Sequence, residues 1–91
     1  MAKLIKTSGE SIEISPQDGN KFKLEEAQSL VGGYIQIIPI GDDEVMVLDE
    51  EGKLKAKNEN RIATCMALDK KAIFSYDYIV GDVIVCKDRE I

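Results

Sequence analysis

The chain has 91 residues, 44% of them apolar and 32% charged, which fits one soluble domain with a modest core and argues against disorder. Seventeen acids against twelve lysines and arginines give a net charge of -5, which repels long DNA or RNA. Histidine is absent, so the commonest general base and zinc ligand are both missing.

No apolar run approaches the roughly 20 residues that cross a bilayer, and Met1 to Gly9 lacks a signal-peptide apolar segment, so the expected compartment is a bacterial cytoplasm. Cys65 and Cys86 stand too far apart for a C-x-x-C motif. Both read as small buried hydrophobes rather than a redox pair or a nucleophile.

Lys3 to Thr7 and Ser11 to Ser15 alternate weakly around a Gly9 turn and predict a hairpin. Pro16 to Asn20 is a turn cluster. Leu24, Ala27, Leu30 and Val31 then recur at helical spacing, with Glu25 and Glu26 in the favoured first turn. Gly32-Gly33 stops this helix, Gly32 serving as its left-handed terminal residue.

Tyr34 to Ile40 is apolar and β-branched and predicts a strand, with Pro39 confined to an end or an edge. Gly41-Asp42-Asp43 turns the chain into a second strand, Glu44 to Asp49. Lys53 to Lys57 alternates perfectly and predicts a third short strand, its lysines on one face and Leu54 and Ala56 on the other.

Asn58 is placed to cap a helix from Glu59 to Lys70, whose apolar face is Ile62, Cys65, Met66 and Asp69 by spacing. Ala72 to Tyr78 has no clear period. Ile79 to Cys86 has strand character broken at Gly81-Asp82, and Lys87 to Ile91 should fray. The whole reads as a single α+β domain spanning residues 1–91: an antiparallel sheet of about five or six strands with two helices packed on one face.

Four segments occur in a familiar order: Val31-Gly32-Gly33-Tyr34-Ile35, Asp49-Glu50-Glu51-Gly52-Lys53-Leu54, Asn60-Arg61-Ile62-Ala63-Thr64 and Ile79-Val80-Gly81-Asp82-Val83. Together they resemble a family of small proteins carried by phages, plasmids and other mobile elements and known as a domain of unknown function. The resemblance runs from Leu24 to Val85 and departs at Lys57-Asn58-Glu59, where relatives often carry a Leu-Pro-hydrophobic step. It implies an accessory protein of a mobile element in a bacterial host, of a kind that interferes with host defence or captures a host signal.

Two polar features invite a ligand and fail on spacing. Gly32-Gly33 closes a helix, whereas phosphate-cradling glycines open one. The acids Asp42 to Glu44 and Asp49 to Glu51 bracket one strand and so lie roughly 20 Å apart, too far for one metal.

Asn60-Arg61-Ile62-Ala63-Thr64 carries the most recognition chemistry. On a helix Asn60 and Thr64 share a face, and Arg61, one of two arginines, could clamp a phosphate. The competing reading has Asn60 and Thr64 bonding local backbone and Arg61 pairing with a surface acid. Lys53, Lys55 and Lys57 could add positive potential, and Tyr34, Phe74, Tyr76 and Tyr78 could stack on a base, although the aromatics read mostly as core.

No nucleophile–base pair or metal cluster stands at recognisable spacing, so an enzyme is disfavoured and no cofactor is expected. Two functions follow. In the first, a homo-oligomer sequesters a small anionic nucleotide, such as a cyclic nucleotide, at or near a subunit interface. Its ligand-binding residues would be Arg61, Asn60, Thr64, Tyr34, Lys53, Lys55 and Lys57. In the second, the acidic turns dock on a host protein and inhibit it. Neither needs long nucleic acid or a membrane.

Overall fold

In the computed structural model, which describes residues Ala2 to Ile91, strand β4 (Glu44–Asp49) organises the domain. Val45 and Val47 point to one side of it and Met46 and Leu48 to the other, so both faces of the sheet are buried. Around it are β1 (Ala2–Ile5), β2 (Ser11–Ile14), β3 (Ile35–Gly41) and β5 (Val83–Lys87), all antiparallel, in the order β2-β1-β5-β4-β3.

The two helices lie on opposite faces rather than on one. Helix α1 (Leu24–Val31) presses Ala27 and Val31 onto Ala2, Leu4, Val45, Val47, Ile84 and Cys86. Helix α2 (Arg61–Asp69) presses Ala63 and Ala67 onto Ile5, Met46, Leu48, Val83 and Val85. Fully burying a side chain such as Met46 or Ile84 contributes roughly 1.5–3 kcal/mol, so two half-size cores substitute for one large one.

The predicted first hairpin, the first helix and the β3–β4 hairpin form. Gly32 is left-handed at φ 83° and donates its N–H to the Gln28 carbonyl at 2.8 Å. Strand β3 is an edge, and Pro39 sits on it beside a bulge.

Other expectations fail as well. The segment 53–57 is not a strand: the Lys55 N–H bonds the Glu51 carbonyl, and Ala56 adopts φ 55°, so the lysines sit on successive turns rather than on one face of a pleat. Helix α2 begins two residues later than expected, at Arg61 rather than Glu59, and is capped by Asn60 and not Asn58, because Glu59 is drawn into an antiparallel bridge with Val80. Its buried stripe is Ala63, Thr64 and Ala67; Ile62 and Cys65 are exposed, since small alanines let the helix approach the sheet more closely.

Only Cys86 is the buried thiol, and burial pushes its pKa up to about 11. The C-terminus is held rather than frayed. Residues Asp88–Glu90 form a short 3₁₀ turn, the Glu90 carbonyl accepts the Phe22 N–H at 2.7 Å, and Ile91 packs on the α1-side core.

Candidate binding groove

The expected ligand residues do not gather at one place. Asn60 is fully buried. Its Oδ1 accepts the Ala63 N–H at 3.0 Å and caps α2, while its Nδ2 donates to the Ile5 and Gly81 carbonyls, each at 2.9 Å. Thr64 Oγ1 accepts the Ile79 N–H at 2.9 Å and donates to the Ile79 carbonyl at 3.3 Å. The side-chain polar groups of both are thus turned inward and occupied. Arg61 stands apart from them, exposed on the first turn of α2, without a hydrogen bond or ion pair among the described residues.

Lys55 and Lys57 meet at Asp49, a carboxylate buried to 3% exposure. Lys57 Nζ lies 2.7 Å from Asp49 Oδ2 and Lys55 Nζ 3.0 Å from it; Asp49 Oδ1 accepts the Glu51 N–H at 2.9 Å. The same ammonium groups donate to the carbonyls of Val31, at 2.7 Å, and Gly32, at 3.2 Å. These are the orphan acceptors at the end of α1, where helix polarity favours cations. Burial would raise the Asp49 pKa, but Lys57, the Glu51 amide and Lys55 outweigh it and hold the carboxyl at about 2.

Close approach at this node demands glycine. A Cβ on Gly33 would lie 2.5 Å from Lys55 Nζ and 2.6 Å from Asp49 Oδ1, and one on Gly52 would lie 2.7 Å from a Val80 methyl. The four familiar motifs therefore converge here. Val31 and the glycine pair offer carbonyls and room, Asp49 and Gly52 the carboxylate and the turn, Asn60 the strut, and Gly81 the acceptor for that strut.

What is left outward-facing is a groove of about 500 Å³ over the β3 side of the sheet, on the α2 face. Gln36, Ile38 and Leu48 come from adjacent strands on its sheet side, and Lys53, Leu54, Lys71, Phe74 and Tyr78 complete the lining. Its lining includes large, solvent-exposed apolar side chains, Leu54 at 86%, Phe74 at 70% and Tyr78 at 45%, and the exposed Tyr76 lies next to it. Phe74 and Tyr76 stack in parallel with centroids 5.5 Å apart, and Lys53 Nζ sits 4.4 Å over the Tyr78 ring while pairing with Asp77. Lys53 holds the Asp77 carboxyl below its ordinary value.

These aromatics contradict the core assignment made from their scarcity. No residue within Ala72–Tyr78 belongs to a strand or helix, so the segment lacks a regular inward face on which to hide its rings. Of the expected ligand residues, only Lys53 lines this groove; Tyr34 lies elsewhere, exposed beside Gly33 and Lys55. Leu54, expected on the face opposite the lysines of a strand that does not form, lines the groove instead. The described residues contain no cluster of three or more potential metal ligands and no helix long and apolar enough to cross a membrane.

The model of a family described as a domain of unknown function, DUF3846, matches residues 1–90, and the chain belongs to that family. No curated protein and no solved structure matches it.

Proposed function

We propose that this member of a family without an assigned role is a non-enzymatic interaction module, and that the groove lined by Leu54, Phe74 and Tyr78, with Tyr76 stacked on Phe74 beside it, is its contact surface. The observation that supports this reading is the exposure of Leu54, Phe74 and Tyr78 around one concavity, with Tyr76 stacked on Phe74 beside it. Exposed tyrosine and phenylalanine supply wide contact area with little rotamer entropy to lose, which is why interfaces favour them.

Charge points the same way. Asp77 is matched by Lys53, and Asp49 by Lys55 and Lys57, so Lys71 and Glu50 balance as the groove's remaining charges. The fitting partner is a polypeptide segment that brings apolar side chains into the groove and neutral or basic groups to the acidic turns. Inhibition of a host protein would be the consequence of such docking.

Capture of a small anionic nucleotide is the second reading, supported by the exposed ring faces beside Lys71 and by a volume suited to one small molecule. It moves from Arg61 to the groove, because Asn60 and Thr64 are occupied internally.

A peptide display library panned on the folded protein, and a panel of cyclic dinucleotides and ADP-ribose derivatives, are each titrated while amide NMR shifts are followed. The interaction reading expects selected peptides to shift Leu54, Phe74 and Tyr78 and to lose binding on Phe74→Ser. Shifts at the same residues from nucleotides alone would establish the second reading instead, and no groove shift from either set would overturn both.

A further inference from the structure

Strand β3 is the longest strand of the sheet and an open edge of it, and it carries no charged residue from Ile35 to Gly41 in a chain that is 32% charged. Edge strands are commonly blunted by charge, proline or a bulge; the opposite edge, β2, carries Glu13, whereas β3 has Pro39 and a bulge only toward its far end, leaving Ile35 to Ile37 bare. We infer that β3 is the self-association surface, pairing antiparallel with β3 of a second copy so that the sheet runs continuously through a two-fold dimer.

The backbone directions follow from one bond. The Glu50 N–H donates to the Tyr34 carbonyl at 2.8 Å, and the register pairs Ile35 with Asp49, so Tyr34, Gln36 and Ile38 turn their backbone groups toward β4. Ile35 and Ile37 consequently turn theirs outward. Pro39 falls in the outward set too, where its missing N–H costs the sheet nothing internally. Beyond the other end, the Gly33 N–H is taken by the Gln28 carbonyl. Outward donors for pairing are thus confined to Ile35 and Ile37.

A two-fold register centred on Gln36 uses just these. Ile35 faces Ile37 of the second copy and Ile37 faces Ile35, giving four backbone hydrogen bonds by the antiparallel pattern without calling on Pro39. Gln36 then meets its own copy, where the two amides can bond each other, and the Ile35–Ile37 contacts cover Ile37, which is 45% exposed. Charge selects the second copy as the occupant. At net -5, most self-contacts would set like charges against each other, whereas this neutral strand opposes none.

Gln36 and Ile38 also line the groove, so the dimer places two grooves side by side on one face of the continuous sheet. The dimer does not depend on what the groove binds, and its test uses no ligand.

Sedimentation equilibrium of the whole chain across the micromolar range is expected to give twice 10.1 kDa. Ile37→Pro, which removes an outward N–H that β4 does not use, is expected to raise the dimer dissociation constant about 100-fold or more while the circular dichroism of the monomer stays native. Gln36→Lys, which needs no backbone change, should dissociate the dimer by setting two ammonium groups together. With Cys65→Ser, Gln36→Cys should form a disulfide-linked dimer on mild oxidation. A monomer throughout the range, or a dimer that survives both Ile37→Pro and Gln36→Lys, would overturn the proposal.

Discussion

The node around Asp49 and Asn60 and the groove around Phe74 and Tyr78 lie on either side of the same loop, and they use opposite kinds of residue. The node is polar and closed. Every donor and acceptor it carries meets a partner, and no buried side-chain nitrogen or oxygen among the described residues lacks one. The groove is apolar and open, with rings and an aliphatic side chain left in water. Polar residues with ligand-like chemistry were consumed in holding the fold, whereas apolar residues suited to a core were left for contact. In a domain this small, a buried amide or ammonium that joins distant segments substitutes for core volume the chain cannot supply.

If that division is right, substitutions in the node cost stability and substitutions in the groove do not. Asn60→Ala should have the largest effect. It deletes the α2 cap and leaves the Ile5 and Gly81 carbonyls without their donor, for a loss of about 3–5 kcal/mol. At roughly 4–8 °C per kcal/mol for a domain of this size, calorimetry should record a fall in Tm of about 15 °C or more. Asn60→Asp keeps the capping oxygen and removes the donor, so it separates the two contributions; a wild-type Tm in the alanine variant would mean the node is not structural.

Next comes Lys57→Ala, which leaves the buried Asp49 with Lys55 alone and should cost about 2 kcal/mol. Its pH dependence is the sharper test. The folded Asp49 carboxyl stands at about 2 against an ordinary 3.8, a depressed value. Its contribution is therefore complete above the ordinary value and is lost as pH falls toward 2. Chemical denaturation followed between neutral pH and that window should show less acid-dependent loss in Lys57→Ala than in the parent chain, since a smaller depression leaves less to lose. Gly33→Ala should cost somewhat less, about 1–2 kcal/mol, because its Cβ would displace the Lys55 ammonium from Asp49.

How much of this was legible varied with the range of the interaction involved. Periodicity and turn residues sufficed for the β1–β2 hairpin, α1 with its Gly32 stop and the β3–β4 hairpin, all of which are local. The segment 53–57 misled because its alternation reflects no pleat: each lysine has a partner distant in sequence, Asp77 for Lys53 and the Gly32 and Val31 carbonyls for Lys55 and Lys57. Asn60 and Thr64 were expected to face a ligand; the carbonyls they serve instead, Ile5, Gly81 and Ile79, lie 55, 21 and 15 residues away in sequence, beyond the reach of local pattern. The α2 stripe was displaced for a related reason: Ala63 and Ala67 carry little hydropathy, and only the closeness of the sheet makes them the buried pair.

The smallest expected effect belongs to the groove and is the one that most directly separates the two regions. Phe74→Ser and Tyr76→Ser remove rings that already face solvent, so folding gains nothing from burying them. Each should change stability by less than about 0.5 kcal/mol, the range of an ordinary surface substitution, and the pair should unfold with the parent's cooperativity. Because the rings stack on each other at 5.5 Å, the double variant tests whether that contact itself stabilises the 72–78 segment. A double loss well above the sum of near-zero singles would tie the rings to the fold and return them to structural duty. Near-zero stability changes combined with lost peptide binding would leave contact as the work these side chains do.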